Sequence, residues 1–282
     1  MKLLRVGPLG QEKPAILGAD GKYRDLSGRV DDIAGDVLLP EALAQLAALD
    51  LETLPVIESD QRIGACVGAI GKFVCIGLNY ADHAEESGMP IPEEPVVFNK
   101  WTSAVCGPND DVVKPRGSSK LDWEVELGIV IGKPGVYIDE ADAEQHIAGY
   151  CVVNDVSERY FQLDTGGGQW DKGKGCDTFG PTGPWLVTRD EIDNVLDLNM
   201  TLEVNGKSFQ NGTTRTMIFN PAYIVSYLSQ FMSLQSGDVI STGTPPGVGL
   251  GQNPPVYLNV GDVMTVAISG LGAQRQQVVA QG

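Results

Sequence analysis

The chain has 282 residues, of which 42% are hydrophobic and 20% are charged, so it can bury a large core and is not a disordered polymer. Its formal net charge is −17 and its pI is about 4.4. This excess of acid argues against binding to nucleic acid or to an anionic membrane surface, because both carry negative charge. An anionic small molecule would need local cations in its pocket.

The cysteines and the N-terminus indicate the compartment. The five cysteines are odd in number and include no Cys-x-x-Cys pair, so we interpret them as small core residues in a reducing compartment. Arg5 and Pro8 interrupt the first apolar run, which argues against a signal peptide. No apolar run is long enough to span a bilayer. The sequence therefore predicts a cytoplasmic protein.

The first part of the chain predicts a small N-terminal α+β domain over residues 1–68. Residues 3–6 and 14–17 have the composition of short strands, and residues 41–49 have leucines at helical spacing. No catalytic constellation is visible in this part. The predicted catalytic domain takes up residues 69–282.

A buried strand predicted over residues 72–77 leads into a short helical segment with a histidine. His83 and Glu86 would lie about one turn apart on one face of that helix. A histidine with a carboxylate partner one turn away has the arrangement of a general base. The alternative is a histidine that only satisfies hydrogen bonds in the core or at the surface.

The segment after this histidine adds a loop and a lysine. Residues 88–95 contain three prolines and form a candidate lid. A strand predicted over residues 96–100 ends at Lys100, which is a candidate substrate contact.

Alternating apolar residues over the stretch 121–132 enclose two glutamates. In a strand, this spacing sends the side chains of Glu124 and Glu126 to one face. A second apolar run, residues 150–153, leads to Asp155 shortly after its end. Three carboxylates at strand positions predict a site for one hard cation with oxygen ligands. The alternative is the solvent-exposed face of a half-buried strand, because glutamate is rarely buried unless it is paired.

The most glycine-rich stretch, residues 165–184, nearly matches a phosphate-binding loop around Lys174. Gly175 occupies the position that would have to be serine or threonine, and the residues that follow do not favour a helix. We therefore reject nucleotide binding. The loop still presents Lys174 on a tightly turned backbone.

The last third of the chain predicts β structure with one helix. Asn205 and Gly206 predict a type I′ hairpin. Residues 221–234 predict an amphipathic helix whose apolar stripe includes Phe231, and residues 262–268 predict a final strand. Short strands, hairpins and few helices favour a mixed or antiparallel β fold over alternating βαβ units.

Six segments together resemble the fumarylacetoacetate hydrolase family over about residues 70–275. In chain order they are GLNYADHAEE (77–86), PVVFNK (95–100), DWEVEL (122–127), NDVSERYFQ (154–162), GKGCDTFGP (173–181) and STGTPPGVG (241–249). The resemblance implies a mainly β fold, a mixed β-sandwich roll behind a small N-terminal α+β domain. It also implies a homodimer.

The resemblance implies the composition of the site as well. Glu124, Glu126 and Asp155 would hold Mg²⁺, with Mn²⁺ or Ca²⁺ as alternatives. His83 with Glu86 would activate a water molecule on a segment that orders over the substrate. The residues implied to line the substrate pocket are Arg159, Gln162, Lys174 and Thr244.

One departure from the name-giving enzyme is Ile76, which stands where that enzyme has a fourth carboxylate ligand. We therefore expect open coordination positions and a small anionic 2-oxoacid as substrate. We hypothesise that a 2,4-dioxo acid is cleaved between C3 and C4 by water that His83 deprotonates, while the cation polarises the 2-oxo group. Lys174 would stabilise or reprotonate the pyruvate enolate, and Arg159 would bind a carboxylate.

Within the family, the N-terminal residues resemble a bacterial branch labelled ureidoglycolate lyase and hydrolases of 2,4-dioxo-3-deoxy sugar acids. We expect 2,4-dioxo-3-deoxyrhamnonate or -fuconate as substrate, with pyruvate and lactate as products. The alternatives are ureidoglycolate lyase, oxaloacetate decarboxylase, and isomerase or hydratase of an unsaturated 2-oxoacid. A non-enzymatic acidic β-protein with a structural calcium ion is also open, although it would have no use for His83, Glu86 and Lys174.

Overall fold

The structure, a computed structural model, describes residues 1–58, 60–86 and 90–282, apart from the side chains of residues 83 and 84. Most of its regular structure is β. The strands in chain order are β1 (Lys2–Val6), β2 (Lys13–Leu17), β3 (Tyr23–Asp25), β4 (Val56–Ile57), β5 (Phe73–Gly77), β6 (Val96–Lys100), β7 (Val105–Cys106), β8 (Val112–Lys114), β9 (Leu121–Asp122), β10 (Val125–Ile131), β11 (Ile147–Asn154), β12 (Ser157–Glu158), β13 (Gly180–Thr188), β14 (Asn199–Val204), β15 (Lys207–Thr213), β16 (Val239–Ser241), β17 (Val263–Ile268) and β18 (Gly272–Ala280).

The helices of the described residues are short. The α-helices are α1 (Pro40–Ala47), α2 (Ala81–Glu86), α3 (Asp171–Lys174) and α4 (Pro221–Ser229). Short 3-10 helices cover Gly35–Leu38, Leu51–Thr53, Thr102–Ala104, Glu140–His146, Gly166–Gly168, Arg189–Glu191 and Thr214–Thr216, and a π-helical turn covers Tyr160–Asp164. None of the described helices has the length and apolar character needed to cross a membrane.

One large mixed sheet runs through the molecule in the order β4-β3-β2-β1-β13-β11-β10-β16-β5-β6, with β7 also paired to β13. Its centre is the antiparallel pair β10 and β11, in which Glu126 lies opposite Val153. The N-terminal strands join this sheet directly, because Lys2 in β1 pairs with Val187 in β13. The predicted N-terminal domain thus extends the central sheet, and the boundary between residues 68 and 69 stays a prediction.

A second sheet, in the order β15-β14-β17-β18-β8, packs against the large one. Buried side chains from both sheets form one core, to which Leu127, Val152, Met200 and Val266 belong. Burial of each such side chain stabilises the fold by roughly 1.5–3 kcal/mol. The mainly β fold predicted from short strands and hairpins is therefore confirmed, as is the β-sandwich that the family resemblance implies.

The hairpin predicted in the last third of the chain is present. Asn205 and Gly206 connect β14 to β15 with φ angles of 52° and 76°. A type I′ turn requires positive φ at both central residues, which asparagine and glycine adopt most readily.

The helix predicted over residues 221–234 is wrong at its C-terminal end, because α4 stops at Ser229. The chain leaves the helix where Leu234 pairs with Gly135, with N–H···O distances of 2.8 and 3.0 Å in the two directions. Phe231, predicted on the apolar stripe of this helix, lies beyond its end and is 68% exposed. A backbone pairing with a distant segment therefore overrides the local helical pattern.

Candidate active site

Two neighbouring strands bring together three of the predicted site residues. Glu124 precedes β10, Glu126 lies in β10, and Asp155 follows β11, where its N–H donates to the Glu124 carbonyl at 2.9 Å. Their carboxylate oxygens lie within 4.8 Å of one another, and we call these three residues the carboxylate cluster. Glu124 is 6% exposed and Glu126 is 2% exposed, so the reading as a solvent-exposed strand face does not apply.

Three buried cations lie beside the carboxylate cluster. The Lys174 Nζ lies 2.5 Å from Glu124 Oε2 and 2.9 Å from Asp155 Oδ2. The Lys100 Nζ lies 2.6 Å from Asp155 Oδ1, and Arg159 Nη2 donates to Glu124 Oε1 at 2.6 Å. These ion pairs compensate the charges of Glu124 and Asp155.

The two glutamates of the cluster have opposite pKa shifts. Burial raises the pKa of Glu124, but the charges of Arg159 and Lys174 outweigh it and lower this pKa to about 2. Burial raises the pKa of Glu126 well above its ordinary value, and the charges of Asp155 and Glu124 raise it further. When Glu126 ionises, its negative charge is therefore the least compensated of the cluster. A divalent cation bound there would supply the positive charge that balances it.

Glycines let the short helix α3 bring Lys174 close to the cluster. A Cβ atom on Gly173 would come within 2.5 Å of the backbone of Gln162 and the carbonyl of Glu158. A Cβ atom on Gly175 would come within 2.4 Å of the Trp101 ring. The glycine-rich stretch therefore serves close packing of α3.

Asp122 is a site residue that was not predicted. Its Oδ2 accepts hydrogen bonds from Arg159 Nε at 2.8 Å and from the Leu250 N–H at 3.0 Å, and its Oδ1 accepts from the Gly249 N–H at 2.6 Å. It therefore ties the guanidinium to the loop after β16. Asp122 lies two residues before Glu124, just as Glu124 lies two residues before Glu126. This alternation could have identified Asp122 as a site residue from the sequence.

Replacing Asp122 with asparagine should destabilise the protein by about 3 kcal/mol, because a buried guanidinium would lose one of its charged partners. Urea denaturation of the purified variant measures the change. Asp197→Asn is the control, since it removes an exposed partner of Arg215 and should cost less than about 1 kcal/mol. Equal losses in the two variants would contradict the positioning role of Asp122.

A cavity of about 400 Å³ opens onto the carboxylate cluster. Glu86 also lines this cavity and accepts a hydrogen bond from the Gly247 N–H at 3.1 Å, which connects α2 to the loop after β16. The side chain of His83, the predicted base, lies outside the described residues. Cluster residues and predicted contacts that line the cavity are Glu124, Glu126, Arg159, Gln162, Lys174 and Thr244.

Three of the predicted substrate contacts are bonded within the protein. Gln162 Oε1 accepts from Arg159 Nη1 at 2.9 Å, and the Thr244 hydroxyl donates to a backbone carbonyl at 2.9 Å. Lys100 is not among the described residues of the cavity lining, because its ammonium is buried against Asp155. Direct contacts of these three residues with substrate stay predictions.

The chemistry of the carboxylate cluster fits a hard divalent cation. Asp155 Oδ1 is buried and has no hydrogen-bond partner of suitable geometry, although it lies 2.6 Å from the Lys100 ammonium, which donates to the carbonyls of Val156 and Lys174. Carboxylate oxygens are the ligands that Mg²⁺, Mn²⁺ and Ca²⁺ prefer. Three protein ligands would leave coordination positions for water or substrate.

Comparison with known families decides the identity of this arrangement. The family model described as fumarylacetoacetate (FAA) hydrolase C-terminal matches residues 72–279, which include the carboxylate cluster, Asp122, Arg159 and Lys174. The chain belongs to the fumarylacetoacetate hydrolase family. The resemblance carried by the six segments is therefore confirmed, whereas the bacterial branch within the family stays a prediction.

Relatives in the fumarylacetoacetate hydrolase family include hydrolases and isomerases. A Burkholderia multivorans protein named "Putative hydrolase" is 63% identical, with 98% of each chain covered. Fumarylacetoacetate hydrolase from Exiguobacterium antarcticum is 34% identical with a TM-score of 0.87, and a probable 2-hydroxyhepta-2,4-diene-1,7-dioate isomerase from Mycobacterium abscessus is 34% identical with a TM-score of 0.83. Maleylpyruvate hydrolase from Sphingobium sp. SYK-6, in complex with manganese(II) and pyruvate, is 26% identical with a TM-score of 0.83. Each of these three structural alignments covers 100% of this chain and 100% of the other chain.

Proposed function

We propose that this protein is a metal-dependent hydrolase that cleaves the C3–C4 bond of a 2,4-dioxo acid. Water adds to C4, the acyl part leaves as a carboxylic acid, and C1 to C3 leave as pyruvate. The observation that carries the proposal is the carboxylate cluster beside Lys174, because Lys174 and the two glutamates of the cluster line a cavity of about 400 Å³. The manganese(II) and pyruvate of the Sphingobium relative support the same type of ion and product.

The side chains around the cluster have separate tasks in this proposal. A bound divalent cation would polarise the 2-oxo group of the substrate. The Lys174 ammonium would stabilise the negative charge of the departing pyruvate enolate and return a proton to C3. Arg159 would orient Glu124, because its Nε, Nη1 and Nη2 atoms donate to Asp122, Gln162 and Glu124, and its contact with a substrate carboxylate stays a prediction.

Replacing His83 with alanine should lower kcat by about 10²–10⁴-fold, because a general base contributes this much when it activates water. Mn²⁺ affinity, measured by calorimetry, should not change, since the proposal assigns the ion to the three carboxylates alone. His146→Gln is the control: His146 Nδ1 is hydrogen-bonded to the Lys133 carbonyl at 2.8 Å, outside the cavity. Full activity of the His83→Ala protein on every dioxo acid would show that another group activates the water.

Pyruvate release coupled to NADH oxidation tests the proposal. The substrates are acylpyruvates, the 2,4-dioxo-3-deoxy sugar acids expected from the sequence, and oxaloacetate, each with Mg²⁺ or with EDTA. Ureidoglycolate is tested separately by urea release. Metal-dependent pyruvate from a dioxo acid would support the hydrolase, pyruvate from oxaloacetate alone would support a decarboxylase, and urea alone would support the lyase.

Isomerisation of an unsaturated 2-oxoacid is the second candidate. It is supported by the Mycobacterium abscessus isomerase, which has the same fold over its whole length. An isomerase would change the ultraviolet absorbance of a 2-hydroxydienoate without releasing pyruvate. A calcium-binding protein without activity would instead melt at lower temperature in EDTA and convert none of these compounds.

We also propose a homodimer, as the family resemblance implies. Light scattering after size exclusion should then give twice the chain mass of 30.1 kDa. A single-chain mass at micromolar concentration would contradict it. Magnesium as the physiological ion and the cytoplasmic location stay predictions.

A further inference from the structure

The active-site cavity has two chemically different parts. One part is formed by Glu124, Glu126, Arg159 and Lys174. The remainder of the described lining is dominated by seven apolar side chains. One is Leu78, and the other six we call the apolar wall: Ile76, Phe98, Leu163, Trp170, Val248 and Leu250.

The apolar wall runs from the buried end of the cavity to its mouth. Ile76 is fully buried and Val248 is 2% exposed, and the nearby carboxylates of Glu124 and Glu126 are buried as well. Leu163 and Leu250 are 47% and 37% exposed. Large apolar side chains at the rim of a cavity are exposed to water, and an apolar ligand group that covers them gains the free energy of burying apolar surface.

Phe98 and Trp170 connect the wall to the reacting end of the cavity. The Lys174 Nζ lies 5.0 Å from the centre of the Phe98 ring, and the Trp170 ring packs edge-on against Phe98 at 5.5 Å. Gly77 permits this position, because a Cβ atom there would lie 2.7 Å from Trp170 Cζ3. A substrate that reacts beside Lys174 would therefore extend its C4 substituent along the wall.

The catalytic elements also carry the wall residues. Trp170 immediately precedes α3, and its carbonyl accepts the N–H of Lys174 at 3.2 Å. The N–H of Leu250 donates to Asp122. The wall thus has a fixed position relative to the chemistry, which is what a specificity determinant needs.

The charges of the cavity disfavour a carboxylate on the substrate tail. Arg159 and Lys174 are the only cations in the described part of its lining, and the carboxylates of Asp122, Glu124 and Asp155 already engage both. Glu86 adds a further carboxylate to the lining. A second anionic group would lose its water without gaining a cation.

A tail hydroxyl would find few hydrogen-bond partners in this cavity. Gln162 and Thr244 are the neutral polar side chains in the described lining. Gln162 Oε1 is bonded to Arg159, which leaves the Gln162 amide NH2 as the one side-chain amide or hydroxyl donor of the described lining that is open to a tail, and the Thr244 hydroxyl donates to a carbonyl and accepts from Gln210 at 2.8 Å. A buried polar group without a partner is costly.

We infer that the substrate of the proposed hydrolase has a neutral, apolar acyl tail, which Leu163, Trp170 and Leu250 select. The preferred substrates are alkyl-substituted acylpyruvates. This inference rests on the proposed function and replaces the hydroxylated sugar acid expected from the sequence.

A matched substrate series tests the tail preference. The series contains 2,4-dioxopentanoate, 2,4-dioxohexanoate, 2,4-dioxooctanoate, 5-hydroxy-2,4-dioxohexanoate and 2,4-dioxoheptanedioate, with pyruvate release as readout in Mg²⁺. We expect kcat/KM to rise about fourfold for each added tail methylene. The 5-hydroxy compound, which differs from 2,4-dioxohexanoate by one oxygen, should be about tenfold poorer, and the dicarboxylate poorer still.

Binding to the Mn²⁺-loaded protein separates the inference from the proposed function. Calorimetry with 2-oxobutanoate, 2-oxooctanoate and 2-oxoglutarate measures tail preference without C–C cleavage. If no dioxo acid releases pyruvate but 2-oxooctanoate binds most tightly, the proposed function fails and the tail preference stands. If dioxo acids are cleaved but the 5-hydroxy compound or the dicarboxylate is preferred, the tail preference is overturned and the function stands. If 2-oxoglutarate binds as tightly as 2-oxooctanoate and no substrate reacts, both are overturned.

Leu163→Arg tests the wall directly. Leu163 is exposed enough for arginine to be accommodated, and the new cation should improve the ratio of dicarboxylate to 2,4-dioxooctanoate kcat/KM by about tenfold or more. Leu196→Arg is the matched control, because Leu196 is 36% exposed and does not line the cavity. An unchanged ratio in Leu163→Arg would remove this residue from the specificity determinant.

Discussion

Replacing Lys174 with methionine should destabilise the metal-free protein by about 3–5 kcal/mol and abolish pyruvate release. Burial lowers the pKa of Lys174, but the charges of Asp155 and Glu124 outweigh it and raise this pKa, so the side chain is an ammonium at neutral pH. Methionine would fill most of its volume and leave two buried carboxylate oxygens without a partner. Denaturation in EDTA measures the loss.

Metal should partly reverse this loss of stability. A divalent cation at the carboxylate cluster would supply the positive charge that methionine lacks, so Mn²⁺ should stabilise Lys174→Met more than it stabilises the wild type. Lys172→Met is the control, because Lys172 lies on the same short helix but is exposed. If Lys174→Met were as stable in EDTA as Lys172→Met, the ammonium would not be compensating the cluster.

Replacing Glu126 with glutamine should have opposite effects on stability and on metal binding. Glutamine can keep the acceptor oxygen for the Ser241 hydroxyl and the Gly243 N–H, which lie 2.5 and 2.9 Å from Glu126 Oε2. It removes the carboxylate whose ionisation burial and neighbouring charges oppose. Metal-free Glu126→Gln should therefore have a higher Tm than the wild type, by about 2–4 °C for each kcal/mol by which its free energy of unfolding increases.

The stabilisation by Glu126→Gln should depend on pH with a definite sign. The pKa of Glu126 is raised in the folded protein, so the folded state holds a proton that the unfolded chain loses above its ordinary pKa of 4.5. The wild type therefore loses stability as pH rises from 4.5 toward the raised pKa, and glutamine does not. Melting temperatures in EDTA should nearly coincide at pH 4.5 and differ most at neutral pH.

Metal affinity should fall in the same variant by at least about 100-fold, since loss of an outer-shell partner alone can cost 10–100-fold. Calorimetric titration with Mn²⁺ measures this, and pyruvate release should be lost in parallel. Glu203→Gln, on the exposed face of β14, is the control and should change neither property. Wild-type Mn²⁺ affinity in Glu126→Gln would exclude Glu126 as a ligand.

The carboxylate cluster was predictable because its residues are close in sequence or at strand ends. The spacing of two between Glu124 and Glu126 is local information, and Asp155 follows the next long apolar run. The ion pairs were not predictable in this way, because Lys174 and Lys100 reach Asp155 from separate elements of the chain. Charge compensation of this kind depends on the tertiary fold.

Strand β18 shows why part of the fold was missed. Its inward positions include Gln274 and Gln276, which are 1% and 0% exposed, so the expected apolar alternation is absent. Gln274 Nε2 donates to the carbonyl of Val152 at 2.8 Å, and Gln276 Nε2 donates to the carbonyl of Pro108. Buried amides that satisfy distant backbone groups look like surface residues in a sequence.

Reconstitution of the metal-free protein is the most direct test of the central claim. The protein is stripped with EDTA and titrated with Mn²⁺ while pyruvate release from 2,4-dioxopentanoate is followed through NADH oxidation. We predict no pyruvate without metal and full activity at one equivalent of Mn²⁺ per chain, with no recovery in Glu126→Gln. Undiminished pyruvate release in EDTA, or full Mn²⁺ binding without pyruvate from any 2,4-dioxo acid, would contradict the assignment of a metal-dependent 2,4-dioxo acid hydrolase.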